Sequence, residues 1–363
     1  MENIVHTLFG LAMARAGLDR HGPAATAACV IGANLPDADG VMRFFGDSDS
    51  YLLHHRGITH SFFGVAVQTA VLAYGLDFIA RKRHVPTPGP LCLAIVSALA
   101  LLSHLALDWT NTYGVRLLLP FSERRIHGDL FFIVDPWLWL LFGGALAWHA
   151  PKGRWTTVAL ASLFLVFVAI IGLSGRAPGW LLPAFLAGGA VIALGRVLGV
   201  LREDRRAPLG ALALTGVYAL AVLALREVAT ARVAPEIGPS ALSVARIPQP
   251  ADPVEWDVLV ETETEMRRAS VSALADGRRE WVAVPRNLDD ARVRAALETP
   301  SGRAIERFAR FLCAEIGRDA KGRTVVFLRD ARYAFWPVRS GGFGARAVTL
   351  DDLKREDAAP PAR

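Results

Sequence analysis

Cysteine is scarce in this sequence. Cys29, Cys92 and Cys313 are the only three in 363 residues, and none stands in a C-x-x-C or similar spacing. Neither a disulfide framework nor a thiolate zinc site is supported by that pattern. Charge is scarce as well: 20% of residues are Asp, Glu, Lys or Arg, against roughly 25% in an average soluble domain. The shortage is local. Residues 60–226 are almost continuously apolar, whereas 227–363 are charge-rich and read as a soluble domain. No basic stretch leading into a cleavable apolar run follows Met1, so no signal peptide is expected. Internal repeats are absent too. The apolar runs within 155–226 carry no acidic residue in their interiors, which argues against a transporter or ion-conducting path there.

What is present is apolar. Hydrophobic residues make up 53% of the chain, and mean hydropathy is +0.33. Net charge is +6. In a soluble protein that excess would suggest nucleic acid. Here it lies largely in short Arg/Lys clusters between apolar runs, so it reads as membrane topology and no nucleic-acid partner is expected.

Two apolar, Ala-rich stretches, 3–17 and 24–35, are short for a span of about 20 residues and are separated by His21-Gly22-Pro23. They read as a helical hairpin. Six runs follow: Phe62–Ala80, Leu91–Leu107, Leu130–Trp148, Trp155–Leu173, Leu181–Val200 and Leu209–Leu225. The fold class expected is mainly α: a polytopic membrane helical bundle over 1–226, a Pro- and Gly-punctuated linker over 227–253, a small soluble α+β domain over 254–350, and a disordered polar tail over 351–363. Within the soluble domain, Trp256–Glu261, Glu280–Val284, Thr324–Leu328 and Tyr333–Val338 read as strands. Ser301–Ile316 has helical spacing at Ile305, Phe308, Phe311, Leu312 and Ile316.

The polar residues flanking the apolar runs form a pattern. His6 lies near the start of the first hairpin helix, and Asp37 and Asp39 just past the end of the second. His54, His55 and His60 precede the next run. His104 and Asp108 close the one after, and His127, Asp129 and Asp135 border the following one. Antiparallel helices joined by short loops gather these residues at one end of the bundle. His104 and Asp108, four apart, share a helix face. Imidazole with carboxylate is an ordinary ligand set for zinc and other divalent metals, and further carboxylates suit a two-metal site. Plainer roles compete at single positions. His21, His84 and His149 fit solvated interfacial residues; Asp37 and Asp39 fit a helix-end turn; His54 and His55 fit an exposed loop; Asp135 fits a helix cap.

At HHRGITHS, NLPDAD and HLALDWTNTYG the sequence resembles the LexA-binding, inner-membrane-associated hydrolases of bacteria, also called membrane-bound metal-dependent hydrolases. The resemblance runs from about His6 to Asp135, and WDVLVET and FLRDARYAF resemble the tail of longer members. More distantly, the arrangement is similar to zinc-dependent phospholipase C and related single-strand nucleases. His104 and Asp108 fit their His-x-x-x-Asp helix, Asp37 their lone Asp, and His60 a following His. An N-terminal Trp ligand and the later His and Glu ligands of that group have no counterpart, so one or two ions are expected rather than three. The resemblance implies a hydrolase of the bacterial inner membrane.

Pattern and resemblance together select Asp37, His60, His104 and Asp108 as ligands of a divalent metal, zinc first, with His6, Asp39 and His55 as additions. Arg56 is expected to stabilise negative charge on a phosphoryl or tetrahedral intermediate. Gly57 is expected to permit the turn between the histidines. Asn111, Tyr113 and Asp129 are expected to line the substrate pocket, and Asp39 or Asp108 offers a general base. The Arg81–His84, Lys152–Arg154 and Arg202–Arg206 clusters lie opposite the metal end, which turns that end outward; Arg116, Arg124 and Arg125 are the exceptions. An ester or phosphoester substrate is expected, and a site at the interface extends that expectation to a membrane lipid. The competing reading is a non-enzymatic membrane scaffold with a structural metal, binding a protein partner through the C-terminal domain.

Overall fold

The computed structural model describes all residues except 42–43, 45, 176, 201–204, 276, 278, 334, 336–342 and 351–363. The expected tail and most of the expected strand Tyr333–Val338 lie outside the described residues. The chain divides into two compact units. The first comprises Met1–Asp39, Arg56–Glu227 and Pro248–Val254, and the second Gly40–His55, Val228–Ile247 and Glu255–Arg363.

The first unit is a polytopic helical bundle. Helix α1 (Asn3–Arg15) starts where the Glu2 carboxylate accepts the Val5 N–H at 2.8 Å, supplying one of the partners that a first helical turn lacks. Gly17 and Gly22, both at positive φ, end it and turn the chain, and Pro23 opens α2 (Pro23–Gly32) at the position where a missing N–H does no harm. In the second unit, α3 spans Ser48–His54. Back in the bundle, Ser61 caps α4 (Phe62–Lys82) by accepting the Gly64 N–H at 2.9 Å, and Pro90 opens α5 (Pro90–Trp109). Then come α6 (Pro136–His149), α7 (Arg154–Leu173), α8 (Leu181–Leu198) and α9 (Arg206–Ile237).

Five of these, α4, α5, α7, α8 and α9, are long and apolar enough to cross a membrane. Helix α6 is shorter than the expected run Leu130–Trp148. Its start is set by Asp135, whose carboxylate accepts the Trp137 N–H at 2.9 Å, while Leu130 and Phe131 instead donate their N–H groups to Thr110 O. Asp135 is thus a cap. Large side chains such as Leu165, Val191, Val197 and Leu220 stand exposed on the later helices, a surface suited to lipid rather than water.

The tight core of the bundle is built from small residues. Ala14, Ala24, Ala25, Ala28, Cys29, Ala73 and Ala80 pack with Leu93 and Val96. Small side chains let helix backbones approach closely where no hydrophobic effect drives them together. This core holds α2 against α4 and α5, and so fixes the helix ends that carry the site.

The second unit holds two antiparallel sheets. One has the order β1 (Ser243–Gln249), β2 (Asp252–Glu261), β3 (Glu265–Ser272), β4 (Val282–Pro285). The other pairs β5 (Leu312–Arg318), β6 (Thr324–Asp330) and β7 (Ala345–Thr349). Short helices α10 (Ala291–Leu297) and α11 (Pro300–Phe308) precede the second sheet.

Three expectations are corrected here. Residues 227–253 hold the last turns of α9 and strand β1, so they are not a linker; the polar residues of REVATARVA are tolerated because they are adequate helix formers. The helix expected through Ile316 stops at Phe308. Phe311 and Cys313 are buried two residues apart, the period of a strand, in a core with Leu259 and Met266. Segment 40–55, read as part of the bundle, joins the second unit instead, where Asp49 accepts hydrogen bonds from Ser301 and Arg346.

Candidate metal centre

Four side chains converge at one end of the bundle. His104 and Asp108 come from the last turns of α5. Asp37 comes from the 3-10 turn Leu35–Val41, and His60 from the 3-10 turn Ile58–His60 ahead of α4. The approach of that second turn to α4 depends on Gly64, where an added Cβ would lie 1.9 Å from Ile58 O. Gly57 lies in that turn with φ −89° and ψ −130°, and the residue before it, Arg56, is in the left-handed region at φ 54°. That conformation is held by the Arg56 N–H donating to Asp39 Oδ2 at 2.9 Å.

The spacing of the four donors is narrow. His60 Nε2 lies 3.1 Å from His104 Nε2, 3.4 Å from Asp37 Oδ1 and 3.3 Å from Asp108 Oδ2. His104 Nε2 lies 3.6 Å from Asp37 Oδ1 and 3.5 Å from Asp108 Oδ2. Metal–ligand bonds of about 2.0–2.2 Å in a tetrahedron separate neighbouring ligand atoms by roughly 3.3–3.6 Å, so these four residues could hold a metal ion. Asp108 Oδ2 is buried and accepts no hydrogen bond from the described residues, although Arg56 Nε lies 2.8 Å away. A buried carboxylate oxygen is costly unless something cationic meets it, and the Arg56 guanidinium is one such partner.

Three of the donors, His104, His60 and Asp108, are oriented from behind. His104 Nδ1 lies 2.7 Å from Ala33 O, which keeps the proton there and leaves the Nε2 lone pair facing the centre. His60 Nδ1 lies 3.0 Å from Thr59 Oγ1 and 3.3 Å from Asp39 Oδ2, and Thr59 donates to that same oxygen at 2.9 Å. Asp108 Oδ1 accepts from Arg56 Nη2 at 2.9 Å and from the Met1 amine. Burial alone would keep His60 neutral, yet Asp108, Asp37 and Asp39 outweigh it and raise the imidazole to about 10. Burial pushes Asp37 upward, but the adjoining His60 and His104 hold it below the usual carboxylate range. The pocket favours a positive charge.

The other expected residues fall around this group. His6 Nε2 lies 3.2 Å from Asp108 Oδ1, and its ring stacks on His104 at 3.8 Å, so it abuts the four donors without completing them. Asp39 stands behind His60. Arg56, 2% exposed, also donates to Asn111 Oδ1 at 2.8 Å. Asn111 Oδ1 in turn accepts the Tyr113 N–H at 2.9 Å. Asp129 is buried at φ 48° in the chain following Gly128 and is not among the four. His55 caps α3 in the second unit and stacks on Tyr51. Thr59 and the Ala33 carbonyl were not anticipated. Thr59 stands in the quoted HHRGITHS block and was legible in principle; a backbone carbonyl has no signature.

Fold and site together define a multi-pass membrane protein with a buried His/Asp group able to hold a metal. Residues 1–177 match the family described as YdjM inner membrane protein. The uncharacterized protein YfhP of Bacillus subtilis (strain 168) is 28% identical over 142 residues, 39% of this chain and 41% of that protein. The match therefore spans less than half the length of that relative. No solved structure matches the chain.

Proposed function

We propose that this chain is a metal-dependent hydrolase of the inner membrane, with Asp37, His60, His104 and Asp108 holding a divalent ion, zinc first. The observation that carries the reading is the set of donor separations from 3.1 to 3.6 Å among two imidazoles and two carboxylates. The resemblance of the HHRGITHS and HLALD blocks to membrane-bound metal-dependent hydrolases supports the same conclusion. When bound, such an ion supplies Lewis acidity and a water acidified toward neutrality, the requirements for attack on an ester or phosphoester.

The protein's own residues then have separate tasks. His60 and His104 present neutral nitrogens because Thr59 with Asp39, and the Ala33 carbonyl, hold the protons on the far side. Arg56 is a positioning residue: its donors hold both Asp108 and Asn111. Asp37 is the least sealed donor, its side chain 11% exposed against 0% for the other three, so substrate enters past it. The Arg/Lys clusters at the opposite helix ends support placing this centre on the outer face.

A second reading has an observation in its favour. Four protein donors make a closed set, the habit of structural ions, which suits a membrane-anchored scaffold. The two readings separate on turnover. Detergent-purified protein is offered carboxylic esters, phosphomonoesters and phosphodiesters, soluble and lipid-borne, before and after chelation. Hydrolysis that chelation abolishes and zinc restores supports the enzyme. A stably bound ion with no hydrolysis of any of these substrates overturns it in favour of the scaffold.

A further inference from the structure

A long apolar groove runs along the bundle apart from the metal centre. It lies between α6, α8 and α9, holds 740 Å³ and has all its walls in the first unit. The three helices do not approach one another equally. Helices α6 and α8 close through glycine: a Cβ on Gly144 would lie 2.6 Å from Ile192, and one on Gly188 2.2 Å from Leu140. Gly210 of α9 lines the same groove, yet a Cβ there would meet nothing within 4 Å. Small residues at a helix interface normally bring the backbones together; here α9 stands off and leaves a volume in the range of ligand sites. Val191, Leu214 and Val217 also line the groove and are 65%, 54% and 60% exposed, so it opens sideways onto the surface suited to lipid.

The walls select hydrocarbon. Trp148 Nε1 donates to Ile192 O at 2.8 Å, Trp137 Nε1 to Ala251 O at 3.2 Å, and Tyr218 OH to Asp135 Oδ2 at 3.1 Å. These side chains therefore turn their polar atoms to the protein and their rings to the groove. The one charged side chain on the wall, Arg206, is exposed and stands at the end away from the metal centre. Between the ends the groove offers a ligand no polar side chain. Its length fits as well. From Trp137 to Trp148, α6 rises about 16 Å at ~1.5 Å per residue, about half of the roughly 30 Å hydrocarbon core of a bilayer. That is the depth filled by the chains of one leaflet.

The other end of the groove adjoins the metal-bearing end of the bundle. The Tyr218 ring stacks on Phe131 at 5.1 Å. Phe131 N–H donates to Thr110 O at 3.0 Å, next but one along the chain from Asp108. Arg226, further along α9, donates to Gly128 O at 2.8 Å, and Gly128 N–H to Trp109 O at 2.8 Å. These bonds tie α9 to the segment beside the donors while the groove stays open below. We propose that the groove between α6, α8 and α9 seats one hydrocarbon chain of a membrane glycerophospholipid, with the polar end of the lipid at Trp137 and Tyr218, so that the substrate is a lipid drawn from the bilayer. This rests on the metal-hydrolase reading for the word substrate, but not for binding.

The test uses the full chain in phosphatidylcholine nanodiscs containing phosphatidylglycerol with a photoreactive diazirine on one acyl chain, placed either beside the carbonyl or at the terminal methyl. Labelled positions are mapped by mass spectrometry, and metal content is measured on the same samples. The carbonyl-side probe is expected to label Trp137, Tyr218 and Ala221, and the methyl-end probe Trp148, Gly210 and Ala211. Gly210→Leu puts a side chain into the open space and is expected to lose most of the groove labelling with metal content unchanged. Gly216→Leu is the control: it is the same change on the same helix, at an exposed position outside the groove where a Cβ also meets nothing within 4 Å, and labelling there should stay as in the wild type. Leucine is a better helix former than glycine; should Gly210→Leu still fail to fold, the order of labelling in the wild type decides. Labelling spread evenly over the exposed faces of α7, α8 and α9, as bulk lipid gives, overturns the inference, as does groove labelling that Gly210→Leu leaves intact. The reverse order, with the polar end at Arg206, overturns the assignment to the substrate. A wild type that labels in the expected order yet holds no metal sinks the hydrolase reading and leaves the chain site standing.

Discussion

His60 Nε2 and His104 Nε2 face each other at 3.1 Å across 44 residues of sequence, both side chains fully buried. Two imidazole nitrogens cannot share that distance with both lone pairs bare. A proton or a metal ion must lie between them, and the carboxylates of Asp37 and Asp108 decide for positive charge. The predictions below follow from that juxtaposition and from what holds it.

The support behind His60 is the first target. Thr59→Val removes the hydroxyl that links His60 Nδ1 to Asp39 while keeping the side-chain shape. Such orienting partners are worth roughly 10–100-fold in metal affinity. Competition with a chelator of known affinity should show a loss of that size with unchanged helix content. Unchanged affinity would remove Thr59 from the support of the centre, leaving the direct contact of Asp39 with His60 Nδ1.

The pH dependence has a definite sign. Without an ion, the carboxylates hold His60 at about 10. At pH 7 it therefore keeps a proton that an entering ion must displace. Zinc uptake should release about one proton per ion, and apparent affinity should rise about tenfold per pH unit until it flattens toward the His60 value. Titration in two buffers of different ionisation enthalpy measures the release. An affinity independent of pH would contradict the assignment of His60 as a ligand.

The orientation can be read by thiol labelling. With Cys29, Cys92 and Cys313 replaced, Glu123→Cys at the metal end should react with an impermeant maleimide in intact cells. Lys152→Cys at the other end should react only after permeabilisation. The reverse pattern places the centre on the cytoplasmic face.

Much of the bundle was legible because its signals are of the strong kind. Apolar runs near twenty residues, and a His and an Asp four apart at the end of one, survive without any knowledge of packing. Segment order gathered the polar residues at one end of the bundle, and the family resemblance narrowed them to the four donors. What escaped was of another nature. Ala33 acts through its carbonyl, which any residue would supply. The left-handed turn falls on Arg56 rather than the neighbouring glycine, because Asp39 holds the Arg56 N–H. The apolar residues from Phe311 to Ile316 fit helix and strand alike, and only the partners in the core decide for the strand. Segment 40–55 joins the second unit through Asp49, a long-range choice that local pattern does not encode.

The account stands on one quantity, the metal content of the purified full-length protein. Elemental analysis of the wild type and of His104→Ala, prepared side by side with equal helix content and monodispersity, measures it most directly. About one tightly held divalent ion per wild-type chain is expected, and loss of most of it from the variant. A wild type without a stoichiometric ion after zinc loading, or a variant that keeps it, would contradict the centre described for Asp37, His60, His104 and Asp108.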